Sequence, residues 1–319
     1  MTRRAPSHAG GITIGPPAGA RDTPGRRGGF AERLARRLLY ADGAVGTMLV
    51  DKGLGPDEPP ELWNLTRPRV IQGIHRAYLA IGCDLVTTNT FGANRLRLKE
   101  RRLHTELASV NRAAVHLARR ACSPRHFVAG GVGPTGRFRQ GRRCGAQAEI
   151  RSAFQEQISH LSEAGIDLIL VETMTHLAEA RIALEAAQAC PPVPAAVSLV
   201  FFAQRGDLRT LDGASPAEAV RELSTAQVVG CNCVDVEVAV EVLRQMREAT
   251  GLPLIAQPNA GLPERRGKRW IYAFGPEALA RYMPSMLASR PAILGGCCGT
   301  TPAHLKACMQ AARTRDRNP

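Results

Sequence analysis

The chain has 319 residues, 44% of them hydrophobic, with a net charge of +14 and nine cysteines. That length and apolar content suit one large α/β domain, and no apolar run approaches the roughly 18–20 residues of a membrane span. The cysteines form no regular framework, which excludes a secreted disulfide scaffold and points to a reducing cytoplasm and to metal ligation. The charge does not specify a nucleic-acid binder: only Lys52, Lys99, Lys268 and Lys306 are lysine, arginine is scattered along the chain, and 4% aromatics is too few for a base-stacking platform.

Taken in chain order, residues 1–29 are rich in Gly, Pro and Arg and lack the apolar stretch of a secretory signal. They read as a disordered extension, leaving 30–315 as one domain. From there, short apolar runs at 38–41, 84–87, 127–130, 168–171, 195–200, 227–229, 254–256 and 292–294 read as strands. Helical patterns at 70–81, 103–121, 146–165, 177–189, 216–223, 237–249, 276–288 and 303–313 separate them, with apolar residues three and four apart, as in Ile71, Ile74, Tyr78 and Ile81. Ser215-Pro216 reads as an N-cap and first helical residue, and Gly165 and Gly251 as helix ends. Eight strand–helix units predict a (β/α)8 TIM barrel, with an open doubly wound sheet as the alternative. Gly131-Val132-Gly133-Pro134-Thr135-Gly136 has the spelling of a nucleotide loop, but its proline and the poor helix sequence after it argue against that use.

In a barrel, the C-terminal ends of the strands share one face, and chemistry sits there. Those ends carry Asp42-Gly43-Ala44, Thr88 to Phe91, Glu172-Thr173, Cys231 to Cys233, Asn259-Ala260-Gly261 and Cys297-Cys298. Adjacent cysteines are poorly placed to bond to each other but well placed to aim two thiolates at one metal. With Cys233 added, the set suits zinc with one coordination position left open. Cys231 lies two residues before Cys233, so an unbroken strand would point both the same way; Cys233, nearer the strand end, is taken as the ligand and Cys231 as packing. Asp42 and Glu172 hang over the same mouth and could hold an ammonium group. Asn259 could form a turn or supply a neutral oxygen. Trp63 and Phe91 are candidate walls of an apolar pocket.

These residues together resemble the homocysteine S-methyltransferase family, which includes the homocysteine-binding domain of methionine synthases and the betaine–homocysteine methyltransferases. The likeness lies in Ala41 to Thr47, Glu61-Leu62-Trp63-Asn64, Thr88 to Ala93, Gly131 to Gly136, Val171-Glu172-Thr173, Gly230 to Cys233, Pro258 to Gly261 and Gly295 to Thr301. It implies a zinc-containing barrel in which Cys233, Cys297 and Cys298 bind Zn2+. It further implies that Asp42 and Glu172, with backbone near Gly43 and Ala44, hold homocysteine, and that Asn259 approaches the metal when substrate is absent. Where the family continues through glycine after Cys233, this chain reads Val234-Asp235-Val236, which would reshape the loop beside the metal. The expected reaction is methyl transfer to homocysteine to form methionine, with betaine as donor. Alternatives are methylcobalamin with methyltetrahydrofolate, delivered by a separate protein, or S-methylmethionine, with selenocysteine or another thiol as acceptor. A basic binding protein with a structural metal is the non-catalytic alternative. The reading admits an oligomer and requires neither nucleic acid nor membrane.

Overall fold

A computed structural model describes residues 29–139, 142–190, 193–204, 206–266 and 269–317. Apart from Gly29, the extension expected at 1–29 lies outside them. Eight parallel strands form the barrel: β1 Leu39–Tyr40, β2 Leu85–Thr87, β3 Phe127–Val132, β4 Leu168–Met174, β5 Ala195–Leu199, β6 Val228–Asn232, β7 Leu254–Gln257 and β8 Ile293–Leu294. Each neighbours the next in sequence, and a parallel bridge between Ala41 and Leu85 joins β1 to β2 and closes the ring. Helices follow every strand, as the alternating pattern predicts.

Strand side chains alternate between two cores. Leu39, Ala41, Leu85, Phe127, Ala129, Leu168, Leu170, Ala196, Val228, Ile255 and Ile293 pack inside the barrel. Val86, Ile169, Val171, Val197, Val229, Leu254 and Leu294 face the surrounding helices. Phe30, from the helix Phe30–Arg36 that precedes the first strand, seals the N-terminal end of the interior and meets Phe127 edge-on, centroids 5.4 Å apart. The same end is stapled by side chains placed just before strands. Asp84 accepts a hydrogen bond from the Tyr40 N–H (2.9 Å), Asp167 from Val128 (2.8 Å), and the Gln227 side chain from Ala195 (2.9 Å).

Several details depart from the sequence reading. β6 runs on to Asn232, pairing with Gln257 of β7. Only glycine fits at 230, because a Cβ there would lie 1.8 Å from the Ile255 carbonyl oxygen. The helix expected over 276–288 is two pieces, Pro276–Ala280 and Met283–Ala288. Pro284 lacks the N–H that a continuous helix would bond to residue 280. Gly165 ends its helix in the left-handed region (φ +93°), whereas the helix Val236–Ala249 ends in an extended Thr250, without a left-handed Gly251. Ser215 caps Pro216–Glu222 with a full capping box. Finally, β3, β5 and β7 are each followed by a two-stranded hairpin: Phe138–Arg139 with Arg142–Arg143, Phe202–Gln204 with Asp207–Arg209, and Pro263–Arg266 with Arg269–Tyr272.

Candidate metal centre

Strict alternation would send Cys233 outward, like Val229 and Cys231. Cys231 is fully buried among the outward-facing residues. Cys233 does not follow it, because its φ is +58°. That left-handed step, unfavourable by about 1–2 kcal/mol for a residue with a Cβ, turns its sulfur back over the mouth. The expectation that the two cysteines point the same way is therefore corrected, and it is Cys233, not Cys231, whose sulfur lies with those of Cys297 and Cys298. The Cys233 N–H donates to the Gln257 carbonyl (3.1 Å), and Asp235 caps the next helix by accepting from the Glu237 N–H.

Cys297 and Cys298 leave β8 through a loop only glycine allows. A Cβ at Gly296 would sit 2.2 Å from the Thr300 side chain, and Gly299 has φ +77°. The Cys297 N–H donates to the Pro258 carbonyl (2.8 Å), and the Cys298 carbonyl accepts from the Ala260 N–H (2.9 Å). Both cysteines are thus pinned to the loop after β7. The three sulfurs lie within 4.8 Å of one another, Cys233 and Cys298 being 3.9 Å apart. Tetrahedral zinc with bonds of about 2.3 Å spaces its sulfurs about 3.8 Å apart, so the donor set fits that ion in both element and spacing. Among the described residues, no other group of His, Cys, Asp and Glu is gathered closely enough for a metal. The thiols also compete for charge. Hydrogen bonds from Cys233 and Cys297 hold the Cys298 thiol far below its ordinary value, while those same contacts, with burial, push Cys297 well above it. Three sulfurs this close cannot all be thiolates unless a cation stands among them.

The sulfurs border a cavity of about 260 Å³, whose lining includes Asp42, Gly43, Ala44, Glu61, Phe91, Glu172 and Gln257. Asp42 is 1% exposed and accepts from both the backbone N–H and the hydroxyl of Thr87 (2.8 and 2.9 Å). Burial outweighs those bonds and raises its carboxyl to about 7. Glu172 follows the inward-facing Leu168 and Leu170 at the same two-residue interval; burial, then the charges of Asp42 and Cys298, raise it to about 8. Both can therefore carry a proton near neutrality and give it up to a cationic ligand. The N–H of Ala44 donates to the Thr300 carbonyl (3.0 Å), so Ala44 offers contact rather than that hydrogen bond. Phe91 is 41% exposed and walls the cavity; Trp63 does not, being wholly buried and donating to Glu58 (2.6 Å). Asn259 is buried and its side-chain oxygen is without a partner, but it is absent from the cavity lining; Gln257, also with an unpartnered oxygen, takes that place.

The profile of the homocysteine S-methyltransferase family matches residues 39–312. The chain belongs to that family. Methionine synthases of Mycobacterium leprae and Mycobacterium tuberculosis are similar to it, at 31% and 30% identity over 89% and 86% of this chain. The chain spans about a quarter of the length of those relatives, 25% and 24%. Among solved structures, the Escherichia coli homocysteine methyltransferase MmuM in its metallated form shares 25% identity and a TM-score of 0.72, covering 86% of this chain and 96% of that one. A Methanosarcina mazei methyltransferase, 10% identical with a TM-score of 0.57 over 88% of this chain and 95% of that one, shares the fold alone.

Sequence reasoning did not single out Glu61, Gln257, Asn232 or Thr47. Glu61 accepts from the Gly92 N–H (2.6 Å), and Asn64 and Asn89 hydrogen-bond to each other (3.2 Å), tying the segment near 61 to the end of β2. Gln257 and Asn232 were legible in principle, because counting by twos from the inward-facing Ile255 and Val228 reaches both.

Proposed function

We propose that this homocysteine S-methyltransferase family member is a zinc-dependent enzyme that forms methionine from homocysteine, with betaine as methyl donor. The observation that carries the reading is the trio Cys233, Cys297 and Cys298, gathered at the edge of a cavity whose lining includes the carboxyls of Asp42, Glu61 and Glu172 and the ring of Phe91. Those three residues would hold the zinc, which supplies the positive charge that lets the substrate thiol bind as a thiolate at neutral pH, where a free thiol, with its pKa near 8.5, is mostly protonated. Glu172 and Asp42 take the ammonium of homocysteine, surrendering their protons as the cation arrives. Substrate sulfur and donor methyl are then held in one small space, which replaces a bimolecular encounter by a positioned one. In the transfer, a sulfur lone pair forms the new S–CH3 bond. The N–CH3 bond of betaine breaks, and its electron pair stays on nitrogen, leaving dimethylglycine. No general base is required, because the thiol proton has gone before the methyl moves. Glu61 and the exposed Phe91 ring support a cationic donor, since an acid and a π-face both attract a quaternary ammonium.

A second reading is favoured by the methionine synthase relatives: the chain activates homocysteine for a methyl group carried by cobalamin on a separate protein, with methyltetrahydrofolate replenishing it. The test is methionine formation by purified, zinc-assayed protein offered betaine, S-methylmethionine and methylcobalamin in turn. Turnover with betaine alone is the expected result. Turnover confined to methylcobalamin would replace the first reading with the second, and turnover with S-methylmethionine alone would identify a sulfonium donor.

A further inference from the structure

Placing homocysteine among three cysteines raises a problem of selectivity. Four thiolates on one ion are chemically alike, yet only the substrate sulfur can take the methyl without destroying the site. A methylated cysteine would be a thioether, a much poorer ligand, and would stay in the protein.

The two paired cysteines have hydrogen-bond donors of their own. Asn232 directs its side-chain N–H at the Cys297 sulfur (3.8 Å). The amide is fixed by Thr173, whose hydroxyl accepts from the same nitrogen (2.7 Å) and whose N–H donates to its oxygen (2.8 Å). Tyr272, the last residue of the hairpin after β7, stacks on Gly299, the residue after Cys298, which brings its side chain into interaction range of the Cys298 sulfur and of Thr47. Its ring lies flush on Gly299, where any Cβ would come within 2.2 Å of the ring carbon Cγ. Thr47 in turn accepts from the Gly299 N–H (3.2 Å), and the chain just past Tyr272 is anchored by the Phe274 N–H to the Ala260 carbonyl (3.0 Å). Among the described residues, the hydrogen-bond partners given for the Cys233 sulfur are the other two cysteines.

A hydrogen bond to a thiolate is charge-assisted and draws electron density from the sulfur, and partners behind metal ligands tune the ligands they touch. We propose that Asn232 and Tyr272 are selectivity residues, which hydrogen-bond Cys297 and Cys298 so that the methyl goes to the substrate sulfur rather than to the protein. This rests on the zinc reading above. Tyr272 and Asn232 touch ligands, not substrate, and act through the sulfurs they hold.

The test uses the full-length protein with zinc bound, treated with iodoacetamide, the modified cysteine being located by peptide mass mapping. Each alkylation forms one S–C bond and releases iodide. Tyr272→Phe keeps the ring on Gly299 and removes only the hydroxyl; the alkylation rate at Cys298 is expected to rise about tenfold, with Cys233 unchanged. Asn232→Leu is expected to do the same at Cys297. Thr47→Val, which removes the group that orients the tyrosine, should give a smaller rise at Cys298 and serves if Tyr272→Phe does not fold. Equal rates in wild type and variants, at equal zinc content and melting temperature, would overturn the proposal, as would a uniform rise at all three cysteines. A wild-type protein that holds no stoichiometric zinc would overturn the zinc reading instead.

Discussion

Replacing Glu172 by glutamine separates a stability effect from a binding effect, and both follow from one carboxyl. Its ordinary value of 4.5 is raised to about 8 in the folded protein, first by burial. The folded state therefore keeps the proton over a range where the unfolded chain has lost it, so stability declines as pH rises from about 4.5 to about 8. At about 1.4 kcal/mol per pH unit the cost has a ceiling of about 5 kcal/mol. The group opens on a cavity whose water solvates it, so about 2–3 kcal/mol is the working expectation. Urea titrations of metal-free wild type and Glu172→Gln at pH 4.5 and pH 9 measure it. The variant should match wild type at the lower pH and exceed it by that amount at the higher. The same substitution removes a counter-charge for an ammonium, so calorimetry should show weaker homocysteine binding, with the proton release expected of wild type near neutrality reduced by the share Glu172 contributes. A variant no more stable than wild type at pH 9, relative to pH 4.5, would refute the argument that this carboxyl is held protonated by burial.

Other outcomes follow from the same geometry. Cys298→Ala should lose bound zinc and lower methionine formation by about a hundredfold or more, read by metal analysis and product assay; full zinc occupancy in the variant would count against a three-sulfur site. Gly230→Ala places a methyl 1.8 Å from the Ile255 carbonyl oxygen, so β6 and β7 must part; a loss of about 3 kcal/mol or more is expected by thermal or chemical denaturation, and an unchanged melting temperature would contradict it. Phe91→Ala should raise the betaine KM about three- to fivefold, with the homocysteine KM unchanged, as loss of a partly exposed cation–π contact predicts; an equal rise for both would show that the ring does not discriminate the donor.

The barrel was legible because its evidence is periodic: apolar runs and helical spacing repeat eight times, and chemically capable residues stand at six of the strand ends. Cys297 and Cys298 were legible because adjacency between glycines is a local signal. What stayed hidden depended on backbone geometry or on partners remote in sequence. Nothing in Gly230-Cys231-Asn232-Cys233 announces that φ turns positive at Cys233, yet that turn separates the cysteine that joins Cys297 and Cys298 from one that packs in the core. The three hairpins follow short or broken runs rich in arginine, which read as loops. Tyr272 reaches Cys298 only because its hairpin folds back onto Gly299, a contact no spacing rule contains. Asn259 read as a site residue through a motif, while the cavity wall is built by Gln257, two positions earlier at the end of β7.

The floor of the barrel has a consequence for dissecting the molecule. Phe30 closes the interior from a helix that lies before residue 39, where the match to the family begins. A fragment trimmed to that match would leave Phe127 and its neighbours facing water through an open base. An excised domain that keeps its cork must therefore start upstream of Phe30, and recombinant boundaries drawn from similarity alone would cut it off.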